Sequence, residues 1–99
     1  MERIPTPTMG EFLLEDFMIP LHLSAYKLAH AIHVPVSRIQ DILHGRRKMT
    51  VDTSMRLGKY FGVSELFFFK IQNDIDIRET RERIRNDLDK IVPIVSSNL

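Results

Sequence analysis

The chain has 99 residues, no cysteine and a formal net charge of +1. At this length one domain around one core is expected, and the lack of cysteine excludes disulfides and thiolate metal sites and permits a reducing compartment. No run approaches the roughly 20 apolar residues of a membrane span, and Met1 to Pro7 lack the apolar core of a signal peptide, so a cytoplasmic location without membrane contact is expected.

Residues 1–8, with Pro5, Thr6, Pro7 and Thr8, read as an extended, flexible arm. A short helix is predicted from about Gly10 to Met18, with Phe12, Leu13, Phe17 and Met18 on its apolar side, covering the elements behind it. Pro20 prevents it from continuing. Ser24 then has the character of an N-cap, and Leu23 and Leu28 are placed to pack as a hydrophobic staple. Leu28, Ala29 and Ile32 recur at helical spacing and face inward. Ala29 is small enough for another helix to cross close to its backbone. His33-Val34-Pro35 reads as a tight turn, because proline lacks an N–H and fits the start of the next helix.

That next helix is predicted from about Val36 to His44, ended by Gly45 as the left-handed residue beyond it. Val36, Ile39, Ile42 and Leu43 share its inner face. Ser37, Gln40, Asp41 and His44 lie opposite, with Arg38 beside them. These side chains can meet base edges, and Arg46, Arg47 and Lys48 follow in a loop suited to phosphates. Two short helices, a tight turn, a polar outer face and a basic loop form the pattern of a helix-turn-helix that reads the major groove. The charge agrees: residues 20–63 carry seven basic and two acidic groups, whereas residues 1–19 and 64–99 are each net negative. A positive field over the proposed binding segment is the electrostatic footprint expected of it.

Beyond the loop, Thr50 reads as an N-cap, with Asp52 well placed in the positive first turn. This helix runs to about Phe61 and stops at Gly62; Ser54 and Gly58, one turn apart, leave a shallow groove for another helix. Ser64 caps a further helix through Gln72. Phe67, Phe68 and Phe69 point three ways on a helix, more than one core is expected to hide, so they are assigned to a dimer or partner surface. From Asp76 to Val92 the chain is charged, with Ile77, Ile84, Leu88 and Ile91 in a thin apolar stripe. Ile77, Ile84 and Leu88 join the same assignment. Pairs such as Glu79–Arg83, Arg83–Asp87 and Arg85–Asp89 are spaced for weak i,i+4 attraction, about 0.3 kcal/mol each. Pro93 ends the stripe. The domain boundaries read from this are an arm at 1–8, a binding domain at 9–75 and a charged helix and tail at 76–99.

The stretch from Met9 to about Ile77 resembles the HigA family of addiction-module antitoxins, a branch of the Cro/repressor-type helix-turn-helix proteins. The likeness is carried by Gly10-Glu11-Phe12-Leu13, Leu28-Ala29, Val34-Pro35-Val36-Ser37-Arg38-Ile39, Gly45-Arg46-Arg47, Thr50-Val51-Asp52-Thr53 and Arg56-Leu57-Gly58-Lys59-Tyr60-Phe61-Gly62. Phe67-Phe68-Phe69-Lys70-Ile71-Gln72 looks like the family's F-W-x-x-L-Q stretch. The resemblance implies an all-α, five-to-six-helix Cro/lambda-repressor-like fold with a C-terminal helical extension. It implies a homodimer on a palindromic operator of double-stranded DNA in its own promoter, and neutralisation of a RelE-like ribonuclease toxin. His33 departs from the pattern, standing where the family commonly has glycine; histidine tolerates positive φ better than most residues. Phe68 stands where the family usually has tryptophan. The tail beyond Ile77 matches no motif.

Within this reading Ser37 and Gln40 are the best readers of bases. Arg38 suits either a guanine or a phosphate. Asp41 suits either a cytosine or the positioning of Arg38 or a loop arginine, and His44 suits either DNA or solvent. Ser24, Tyr26 and Lys27, at the start of the first helix of the pair, are assigned to phosphate, the alternative for Tyr26 and Lys27 being ordinary surface. Four histidines invite a metal site, but no cysteine or nearby carboxylate completes one at His30 and His33. No G-x-S-x-G and no phosphate loop points to catalysis. No enzyme activity, metal, cofactor or small-molecule ligand is therefore expected. The competing readings are an orphan repressor of the same fold without a toxin, and a protein-interaction module with little affinity for DNA. The basic loop discriminates between them, because only a DNA-binding role needs it.

Overall fold

The computed structural model describes residues 7–95. Among them the regular structure is entirely helical; the first six residues of the arm expected at 1–8, and the last four residues of the chain, lie outside the described part. Helix α1, Met9–Leu13, is opened by Thr8, whose hydroxyl accepts the Glu11 N–H at 3.1 Å. It passes directly into a π-helical turn, Leu14–Met18, with the Ile19 N–H on the Leu14 carbonyl at 2.9 Å. The sequence explains this widening. Apolar residues recur here five apart, Phe12 with Phe17 and Leu13 with Met18. Five residues of α-helix turn a side chain about 140° off its first direction, and a wider i→i+5 turn brings such pairs back onto one face. Leu13 and Met18 are both buried, and the rings of Phe12 and Phe17 lie 5.8 Å apart.

Helix α2, Ala25–Ala31, starts at Ser24, whose Oγ accepts the Lys27 N–H at 3.0 Å. Helix α3, Val36–Leu43, follows Pro35 and ends at His44, with Gly45 at φ +76°. Helix α4, Val51–Phe61, is capped by Thr50 and closed by Gly62 at φ +73°. All of these boundaries match the expectation within a residue or two. Two residues between helices adopt the left-handed region without being glycine: His33 at φ +61°, in the expected turn, and His22 at φ +54°, in the Ile19–His22 turn.

The C-terminal half differs from expectation. Helix α5 runs unbroken over Phe67–Arg83, and a break at Ile84 separates it from the short α6, Arg85–Asp89. Ser64 does not cap this helix. Its hydroxyl accepts the Leu66 N–H within the turn before it, at 3.3 Å, and α5 begins at Phe67. The groove at Ser54 and Gly58 receives that turn, not a helix. A Cβ at Gly58 would lie 2.6 Å from the Ser64 carbonyl oxygen, so only glycine permits the approach. The buried Ser54 hydroxyl donates to the Glu65 carbonyl at 2.8 Å and accepts the Phe69 N–H at 3.0 Å, which fixes the entry of α5.

The core is drawn from every helix of the first five: Met9, Leu13, Met18, Leu28, Ala29, Ile32, Ile39, Ile42, Met49, Leu57 and Phe68. Phe68 is fully buried, with ring centroids 5.0 Å from Phe17, 5.2 Å from Phe67 and 5.9 Å from Phe61. Its assignment to a partner surface is therefore corrected. A core does accommodate these rings, because α1 and its π-turn supply Phe12 and Phe17 as partners. Phe67 and Phe69 are half-buried.

Candidate nucleic-acid interface

Helix α3 is amphipathic, so burying Ile39 and Ile42 turns its opposite side outward. Ser37, Gln40 and His44 are exposed along that side, Asp41 is half-buried beside them, and the expected polar face is thus brought together on one helix. His44 is bent back on its own helix, its Nδ1–H donating to the Gln40 carbonyl at 2.7 Å. Arg38 is directed differently. Its Nη1 lies 3.0 Å from Asp52 Oδ1 in the first turn of α4, and its Nε is buried without a partner.

Asp52 joins two helices. Besides Arg38 it pairs with Arg56 Nε at 2.8 Å, and Arg56 Nη1 donates to the carbonyls of Ile32 and His33 at 2.9 and 3.3 Å. The carbonyls at the end of α2, the base of α3 and the start of α4 are thereby fixed to one ionic network. This network was not foreseen. Asp52 and Arg56 are four apart on one helix, a spacing visible in the sequence, but nothing local links either to Arg38 or to the turn.

The basic loop is bound down unequally. The Arg46 and Arg47 N–H groups both donate to the Asp41 carbonyl, at 2.7 and 3.2 Å, and Arg46 Nε lies 3.1 Å from Asp41 Oδ1. Of the two arginine partners open to Asp41 in the sequence, Arg38 and one of the loop, it pairs with Arg46 of the loop. Lys48 Nζ lies 3.2 Å from Asp76 Oδ1 of α5, and Arg47 has no ion pair among the described residues. Ser24 spends its hydroxyl on the N-cap; Lys27 is exposed, and Tyr26 is exposed and stacked on His30 with centroids 6.3 Å apart. Lys27, Arg46, Arg47 and Lys48 are all exposed, the last three directly following the exposed side of α3 in the chain.

On α5 and α6, Asn73, Asp76, Ile77, Thr80, Arg81, Ile84 and Leu88 line an open cleft of about 460 Å³. Ile77 and Leu88 are about half exposed and Ile84 is partly buried. At this end Arg85 pairs with Glu82 at 2.9 Å. No helix among the described residues is long and apolar enough to cross a membrane.

Comparison with known proteins adds four findings. A family model described as helix-turn-helix matches residues 14–68. Virulence-associated protein I of Dichelobacter nodosus is 35% identical over 92 residues, which cover 93% of this chain and 84% of that protein. Among solved structures, an addiction module antidote protein of the HigA family from Coxiella burnetii is similar with a TM-score of 0.82 and 30% identity, over 91% of this chain and all but 1% of its own, a coverage of 99%. The antitoxin HigA of Pseudomonas aeruginosa, solved with the higBA promoter, gives a TM-score of 0.84 at 25% identity, over 92% of this chain and 100% of that one.

Proposed function

Because the chain belongs to the helix-turn-helix family, in its HigA-type branch, we propose that it is a DNA-binding antitoxin that represses its own promoter as a dimer and neutralises a RelE-like ribonuclease toxin. The observation that carries the DNA half is the single face on which Ser37 and Gln40 of α3 stand exposed beside a basic loop. A dimer sets two copies of α3 in successive major grooves of a palindromic operator, about 34 Å apart. Ser37 and Gln40 then read base edges, His44 and Asp41 border the contact, and Lys27, Arg46, Arg47 and Lys48 meet phosphates. The likeness to an antitoxin solved with its promoter supports this half. Arg38 acts here from behind, setting the pitch of α3 against α4 through Asp52. The toxin half rests on family membership. The cleft beside Ile77, Ile84 and Leu88 is the surface assigned to a protein partner, a second copy or the toxin, whose occupancy is linked to operator affinity.

A salt-titrated binding assay on DNA from upstream of the gene, against scrambled DNA of equal length, tests the first half. Tight binding to the upstream fragment, weak binding to the control and a steep loss with salt are expected. Arg47→Ala, which removes one phosphate contact from each protomer of the dimer, should lower the slope of log affinity against log salt by about 1.8 without changing the ratio between the two DNAs. Equal weak binding to both fragments would overturn the repressor reading and leave a protein-interaction module. Co-purification of a neighbouring gene product, with ribonuclease activity that this chain suppresses, tests the second half; its absence leaves an orphan repressor.

A further inference from the structure

The basic loop is held by α5 at two points. The Met49 N–H donates to Gln72 Oε1 at 2.9 Å, and Lys48 Nζ pairs with Asp76 Oδ1 at 3.2 Å. Gln72 and Asp76 are one turn apart on α5, and Gln72 Nε2 donates to the same Asp76 Oδ1 at 3.1 Å. Gln72 is buried, with its amide oxygen on the loop backbone and its amide nitrogen on the carboxylate. The carboxylate is thereby aimed at the loop. Lys48 keeps 73% of its side chain in solvent, and its ammonium has three donors. It can leave Asp76 for another anion without moving the backbone.

We propose that Asp76 is a charge-metering residue for DNA binding: it competes with backbone phosphate for Lys48, so that the loop presents less positive charge to DNA than its sequence carries. This rests on the DNA-binding reading above. A carboxylate and a phosphate diester accept from an ammonium in the same way, and Lys48 exchanges one for the other on binding. Arg47 forms no ion pair among the described residues, so no contact of this kind has to be exchanged there. Loop cations of equal formal charge therefore contribute unequally to affinity.

Asp76→Asn isolates the charge, because the amide oxygen still accepts from Gln72 and Lys48. The variant should bind upstream DNA about two- to fivefold more tightly at fixed salt, the scale of an exposed ion pair. Its salt slope should steepen by up to about 0.9 for each protomer, about 1.8 for the dimer. Scrambled DNA should gain by the same factor, since phosphate carries no sequence information. In a Lys48→Ala background the Asp76 change should have no effect. A second comparison does not depend on the Asp76 variant: Lys48→Gln should reduce the salt slope less than Arg47→Gln does. Wild-type binding with an unchanged or weakened Asp76→Asn variant would overturn the metering role alone. So would a gain that persists without Lys48, or equal slope losses at Lys48 and Arg47. Failure of the wild-type chain to bind any DNA would remove the DNA-binding reading and the metering role together.

Discussion

The α2–α3 pair and the α5–α6 arm are built on opposite terms. In α2–α3 the boundaries are set by residues at the boundary itself: the Ser24 hydroxyl on the Lys27 N–H, Pro35 at the start of α3 and Gly45 beyond its end. In α5 neither end carries a side-chain cap, and its start is fixed from outside by Ser54 of α4. The first region is specified locally and bears its polar face outward. The second is specified by what it packs against, and it loses that definition where packing stops, at the break at Ile84. The difference shows where the core's support lies: on the inner side of α5's first two turns, behind the proposed DNA face.

The sharpest way to break the comparison is at the two ends of α5–α6. Phe68→Ala removes a fully buried ring with four aromatic neighbours. A loss of about 3–5 kcal/mol is expected in denaturant unfolding. Leu88→Ala, at a position 46% exposed, should cost well under about 1 kcal/mol. Similar losses at both positions would show that α6 is packed in solution far better than a half-exposed Leu88 implies. Next in size is Ser54→Ala, which strands the Glu65 carbonyl and the Phe69 N–H. It should cost about 1–3 kcal/mol, with hydrogen exchange accelerated first at the start of α5 and least in α2–α3. In the locally specified region the expected effect is on recognition instead. Gln40→Ala should reduce the preference for upstream over scrambled DNA by about 1–3 kcal/mol while leaving the salt slope and the melting temperature in place.

What was legible in the sequence follows the same division. The caps at Ser24 and Thr50, the His33 turn and the two helix-ending glycines act through neighbours within four residues, and these could be read directly. The inward and outward faces of α3 were legible because helical period alone separates Ile39 and Ile42 from Ser37 and Gln40. Burial of Phe68 was not, because its partners Phe12 and Phe17 lie more than fifty residues earlier in the chain. The five-residue apolar spacing that widens the turn after α1 was present in the sequence but is invisible to a search for 3.6-residue periodicity. The partners of Arg38 and Lys48 lie at Asp52 and Asp76, beyond any local spacing rule. Charge patterning showed where the cations are, but only three-dimensional placement shows which of them are already paired.

His33 gives the smallest expected effect and the most discriminating sign. It occupies the turn between α2 and α3 at φ +61°, and its side chain is exposed. Its interactions with the network are made by its backbone: the N–H donates to the His30 carbonyl, and the carbonyl accepts from Arg56. A glycine keeps both and removes the clash between Cβ and carbonyl oxygen that disfavours left-handed backbone. It also gives the unfolded chain more freedom, which takes back part of the gain. The balance expected for His33→Gly is a stabilisation of about 0.5–1 kcal/mol, a rise in melting temperature of roughly 2–8 °C for a chain of this size. His22→Gly, at φ +54° in the turn before α2, should act with the same sign. A lowered melting temperature for His33→Gly alone would mean that the imidazole itself holds the turn, and that this joint of the helix pair depends on a contact beyond the backbone.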